Sequence, residues 1–118
     1  MSILENREVS DRDAVMFDID NTLIFTDGRP NGPVIDLLYR ALDLGYKVVI
    51  ITARPTLRVV MEYTKQQLHH YKIPYNLLFI TPAENKGEVK KKTGRRYILL
   101  VGDQDTDLTN SMYALKIE

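Results

Sequence analysis

Four short apolar runs punctuate this chain, at residues 14–17, 48–51, 77–80 and 97–101. Each is nearly continuous rather than alternating, the pattern of parallel strands covered on both faces. Between the runs the apolar spacing lengthens to that of helices. Val34, Leu37, Leu38, Ala41 and Leu42 form one stripe, closed by Gly45. Leu57, Val60, Met61, Leu68 and Tyr71 form a second, with Arg58, Glu62, Lys65 and Gln66 turned outward. Pro33 and Pro55 stand where a first helical turn accepts proline. A third helix, short and polar, is expected over 85–93 and closes at Gly94.

This βαβαβαβα alternation predicts an α/β fold: a three-layer, Rossmann-like parallel sheet with helices on both faces and right-handed crossovers. The first strand should be central. Ligands of such sheets bind beyond the carboxyl ends of the strands, so the chemistry should sit in the loops that follow them. The segment 22–33 carries the tight-turn dipeptide Asp27-Gly28 and predicts a small flap hairpin beside that edge. Residues 1–12 are polar and expected to be loosely held, and the whole of 1–118 reads as one domain, without repeats or linkers.

The loops then supply the candidates. After the first run comes Asp18-Ile19-Asp20-Asn21-Thr22, two carboxylates pointing the same way from extended backbone. Two adjacent negative charges are unfavourable unless a cation is bound or one keeps a proton. A site with one carboxylate as nucleophile and the next as proton donor has a reason to place them so. After the second run, Thr52-Ala53-Arg54 offers a hydroxyl, backbone N–H groups and a charged fork for a phosphoryl oxygen. The plainer reading is that Thr52 caps the helix begun by Pro55. After the third comes Lys86, a cation at a helix start that makes sense beside a bound anion or paired aspartates. Its neighbours Lys90, Lys91 and Lys92 suggest instead an ordinary solvated face. After the fourth, Asp103, Asp105 and Asp107 follow Gly102, an oxygen-rich cluster that suits Mg²⁺. The glycine and terminal glutamate of a calcium loop are absent.

Composition narrows the class without naming it. Lysine plus arginine equals aspartate plus glutamate, 16 each, so net charge gives no overall attraction to nucleic acid or anionic membrane. No cysteine is present, which excludes disulfides and thiolate chemistry. No apolar stretch approaches a membrane span, and the first residues lack the blocks of a secretory signal, so a cytoplasmic protein is expected.

Taken in order, paired aspartates, threonine, lysine and acidic cluster make the chain resemble the haloacid dehalogenase superfamily of phosphohydrolases over about residues 13–115. Asp18-Ile19-Asp20-Asn21-Thr22-Leu23 and Gly102-Asp103 with Asp107 carry the likeness, and the wording of these motifs looks most like the acid-phosphatase-type branch. The resemblance implies an Mg²⁺-dependent phosphatase. In it, Asp18 would become an aspartyl phosphate, and Asp20 would serve as general acid, then base. Thr52 and Lys86 would hold the phosphoryl group and steady the nucleophile, with Asn21, Ala53 and Arg54 beside the phosphate. Mg²⁺ would be held by Asp18, the Asp20 backbone carbonyl, Asp103 and, through water, Asp107.

Only 32 positions separate Asp20 from Thr52 and 34 separate Thr52 from Lys86. Neither interval holds a cap domain, so a capless core is expected, open to a small or macromolecular phosphorylated substrate or roofed by a second copy. Eleven residues follow Asp107, which leaves room for a short helix and a stub, and the fifth strand is expected to be short or missing, with an exposed edge open to pairing. Two other functions compete. The run Lys86, Lys90, Lys91, Lys92, Arg95 and Arg96 beside the expected site would suit a polynucleotide 3′-end phosphatase, though neutral total charge does not favour nucleic acid. A non-catalytic phosphate- or metal-binding module is the other. A phosphoacceptor receiver domain carries its aspartate after the third strand, where this chain has Thr81-Pro82.

Overall fold

The computed structural model describes residues 3–103 and 113–117. Its elements run β1 (Asp13–Phe17), α1 (Gly32–Asp43), β2 (Lys47–Thr52), α2 (Arg58–His70), β3 (Leu77–Ile80), a 3-10 turn (Ala83–Asn85), α3 (Lys86–Lys92), β4 (Arg96–Gly102) and β5 (Tyr113–Lys116). The strands form one sheet in the order β3-β2-β1-β4-β5, parallel throughout. β1 is central, as its wholly buried apolar run requires. The chain winds outward from β1 to β3, then returns to β4 on the other side. The switch point therefore lies between β1 and β4, and their carboxyl ends carry Asp18 and Asp103.

Alternate side chains of the strands feed two cores. Val15, Phe17, Val48 and Ile50 pack with Val34, Ile35, Leu38 and Ala41 of α1 and Leu68 of α2. Ala14, Met16, Val49, Ile51 and Leu100 face the other way, against Val89 of α3. Three layers result, with helices on both faces. α1 begins with Pro33 in its first turn and ends where Gly45, at φ +96°, lets the Gly45 and Tyr46 N–H groups return to Leu42 and Ala41 carbonyls.

One expectation changes, and two others become specific. α2 starts at Arg58, not at Pro55; the Leu57 N–H turns back onto the Pro55 carbonyl and delays the helix. Thr52 therefore caps nothing: it is the last residue of β2. A fifth strand is present but short, Tyr113–Lys116, paired with β4 from Leu99 to Gly102. At the amino end, Leu4 sits in the core and its carbonyl accepts the Tyr46 hydroxyl at 2.8 Å, while Arg40 pairs with Glu5, contacts that the polarity of the segment hides. The flap forms around isolated bridges from Ile24 to Asp20 and to Pro30, with Gly28 at φ +89° and Asp27 accepting from the Arg29 N–H.

Candidate active site

Parallel strands end together, so four loops meet at one sheet edge. A pocket of about 290 Å³ opens there, lined by Asp18, Asp20, Asn21, Ala53, Ala83 and Asp103. Asp18 is anchored through its own backbone: its N–H donates to the Val101 carbonyl at 3.0 Å, tying the β1 exit to β4. Three residues on, Asn21 takes φ +61°, a left-handed turn that asparagine tolerates better than most side chains. The Asn21 N–H returns to the Ile24 carbonyl at 2.8 Å and closes the turn that follows the two aspartates.

Lys86 reaches this edge from the first residue of α3. Its Nζ lies 3.1 Å from Asp18 Oδ1, with the two side chains 1% and 7% exposed. A lysine so buried is not a solvated helix charge. Such a pair holds its geometry firmly, since removing either partner strands a buried charge. Lys90, one turn along the same helix face, is equally buried, whereas Lys91 and Lys92 are exposed. Spacing of four residues was the available sign that these two lysines share an inward face.

Thr52 is fully buried at the end of β2, and its Oγ1 has no hydrogen-bond partner among the described residues. Its backbone carbonyl accepts the Thr81 N–H at 3.0 Å, which locks the β2 and β3 exits side by side. A buried hydroxyl without a partner costs free energy, and a ligand oxygen would relieve that cost.

Arg54 does something the sequence did not suggest. Its Nε and Nη2 donate to Asp20 Oδ2 and Oδ1 at 3.0 and 2.9 Å, a bidentate fork on the carboxylate rather than a free arm toward substrate. Its Nη1 donates to Thr64 Oγ1 at 3.0 Å, and that hydroxyl donates to the Val60 carbonyl. A chain of bonds thus runs from α2 through Arg54 to Asp20, whose side chain is 55% exposed. Ala83, at the start of the 3-10 turn, lines the pocket with no signal in the sequence beforehand. Asp105 and Asp107 lie outside the described residues.

The donors around the pocket are all oxygen, which fits a hard divalent cation. Lys86 answers Asp18 and Arg54 answers Asp20, while Asp103 has no cationic partner among the described residues. The described residues alone hold no group of three close carboxylate or histidine ligands.

The family described as haloacid dehalogenase-like hydrolase matches residues 15–96, a span that takes in Asp18, Asp20, Thr52 and Lys86. Among solved structures, a chain from the "Structure of Pnkp1/Rnl/Hen1 complex" has a TM-score of 0.69 at 22% identity, covering 97% of this chain and 48% of that one. A chain from the "Structure of the Pnkp1/Rnl/Hen1 RNA repair complex" has a TM-score of 0.68 at 24% identity, covering 95% and 44%. This chain spans about half the length of those two, and at such identity the likeness is one of fold. A comparison with curated proteins gave no match.

Proposed function

The chain belongs to the haloacid dehalogenase-like hydrolases, and from that premise we propose that it is an Mg²⁺-dependent phosphomonoester hydrolase acting through Asp18. The observation that carries this reading is the buried Lys86–Asp18 pair at the mouth of a pocket that Asp20 and Asp103 also line. Lys86 holds Oδ1 of Asp18, so the carboxylate has one orientation toward an incoming phosphorus atom.

An oxygen of Asp18 attacks phosphorus, and the bond to the ester oxygen breaks with a proton delivered by Asp20. The aspartyl phosphate is then attacked by water, whose proton passes to Asp20, and phosphate leaves with Asp18 restored. Both oxygens of Asp20 accept from Arg54, so at least one of those bonds opens before Asp20 meets the leaving oxygen. The orphaned Thr52 hydroxyl donates to a phosphoryl oxygen, with Asn21 and the Ala53 backbone beside it. Mg²⁺ would be held by Asp18, the Asp20 carbonyl and Asp103, with Asp107 as a further partner, and supplies charge neutralisation between phosphate and carboxylate. The site is read as uncapped, since the flap and α1 fill the interval from Asp20 to Thr52, and α2 and β3 fill most of that to Lys86. Motif wording favours the acid-phosphatase-type branch.

A polynucleotide 3′-end phosphatase is the second reading. In its favour, one chain of similar fold comes from an RNA repair complex, and an open pocket admits a strand end. Against it, the basic run is not one surface: Lys86 and Lys90 are buried, while Arg95 and Arg96 stand at the start of β4, the opposite end of the sheet. Phosphate release from a panel of small monoesters and a 3′-phosphorylated oligonucleotide, with Mg²⁺ and with EDTA, separates the two. Metal-dependent release from small esters supports the leading reading. Marked preference for the oligonucleotide supports the second, and no release from any substrate by folded protein sinks both in favour of a binding module.

A further inference from the structure

In a parallel sheet the amino ends of the strands also gather, and here they bring together charges that the pocket at the other edge does not use. A cavity of about 480 Å³ opens at that end, lined by Ser10, Arg12, Arg95 and Arg96. Its volume falls within the ~300–1,000 Å³ typical of ligand sites. The five residues of β1 separate it from Asp18 by roughly 16 Å of strand.

The three arginines are held rather than loose. Arg12 Nε donates to the Gly94 carbonyl at 3.2 Å, and Arg95 Nη1 donates to the Asp11 carbonyl at 2.6 Å. Each of these two side chains braces the segment that carries the other. The Arg96 N–H donates to the Arg12 carbonyl at 2.7 Å, which sews the segments together. Arg96 Nε donates to buried Asp13 Oδ1 at 2.6 Å, so one of the three positive charges is answered. The guanidinium charges of Arg12 and Arg95 meet only carbonyl oxygens in these bonds, and each group has five donors of which one is thus spent. Two partly exposed guanidinium groups beside one hollow suit an anion, and forks already tied at one point lose less freedom when it binds.

We propose that this amino-edge cavity is a second anion site, distinct from the catalytic pocket, that binds phosphate oxyanions through Arg12 and Arg95. Two guanidinium groups lining one hollow suit two linked phosphates, either a free diphosphate or successive phosphodiesters of a nucleic-acid strand. Arg96 is the support of the site, since Asp13 occupies it. Neither binding at this end nor its test depends on turnover at Asp18.

The test uses the whole protein in the Asp18→Asn background, so that no probe is hydrolysed. Pyrophosphate and a short single-stranded oligonucleotide with both ends unphosphorylated are titrated while the arginine Nε–H resonances are followed by NMR. Saturable shifts of Arg12 and Arg95 are expected, weakening with salt. Arg12→Ala/Arg95→Ala should bind about tenfold or more weakly, and the same pair placed in the otherwise wild-type chain should leave p-nitrophenyl phosphate turnover unchanged. Arg12→Lys/Arg95→Lys, which keeps the charge and loses the forks, should fall between. Response to pyrophosphate alone assigns a free diphosphate as ligand, and response to the oligonucleotide assigns the strand backbone. Shifts confined to residues of the Asp18 pocket, or affinity unchanged in the folded double alanine variant, would overturn the proposal.

Discussion

At the scale of single residues, the site rests on groups whose burial conflicts with their chemistry unless they act. Thr52 is the simplest. Its hydroxyl is buried and unpartnered among the described residues, so Thr52→Val should leave the fold as stable or raise it by about 1 kcal/mol, while phosphate turnover falls. Denaturant unfolding beside steady-state kinetics reads both, and a stability loss would mean that the hydroxyl has a structural partner. Lys86 is the converse case, because its charge is balanced by Asp18. Lys86→Met should lower turnover by about 10²-fold or more and destabilise the protein by about 3–5 kcal/mol. Adding Asp18→Asn should restore part of the stability and none of the activity. These two side chains were legible from loop order, but their burial was not. Spacing puts Lys86 and Lys90 on one helix face and Lys91 on another, but only the packing of α3 against the sheet decides which face is buried.

At the scale of elements, the legible features were those with a period or a punctuating residue. Continuous apolar runs marked four strands, and Gly45 marked the end of α1 through its positive φ. Two features depended on long-range pairing: the start of α2 escaped, and the fifth strand was left as either short or missing. The start of α2 moved from Pro55 to Arg58 as the Leu57 N–H turned back onto the Pro55 carbonyl, and in the same loop Arg54 reaches Asp20. β5 was hard to see because Tyr113–Lys116 is mostly exposed and lacks a strong apolar run, so its strand character comes from pairing with β4. The Arg54 chain carries its own prediction. If Arg54 positions Asp20, Arg54→Lys should lower kcat about tenfold with KM for p-nitrophenyl phosphate little changed, since a lysine cannot reproduce the fork. Thr64→Val should produce a smaller change of the same kind. A raised KM at unchanged kcat would instead show Arg54 to be a phosphate ligand.

At the scale of the whole molecule, one parallel sheet separates two chemistries, acidic at the carboxyl edge and arginine-rich at the amino edge. Its pH response should be read at the latter. Arg96, with the Ser10 N–H, holds the buried Asp13 carboxyl below the usual carboxylate range. The folded state therefore binds this proton less readily than the unfolded chain. The resulting stability is present above the unfolded value of about 4 and is lost as pH falls below it toward the folded value. Unfolding midpoints for wild type and Asp13→Asn should differ at pH 7 and converge toward pH 3; a constant gap would show that the carboxylate charge is not what stabilises. Whether Asp18 is the nucleophile of a metal-dependent phosphatase is tested most directly by one comparison. Phosphate release from p-nitrophenyl phosphate is measured for wild type and Asp18→Asn, each with Mg²⁺ and with EDTA. Turnover only in wild type with Mg²⁺ is the predicted result. A folded Asp18→Asn protein that keeps the wild-type rate, or a folded, Mg²⁺-loaded wild type that releases no phosphate, would contradict it.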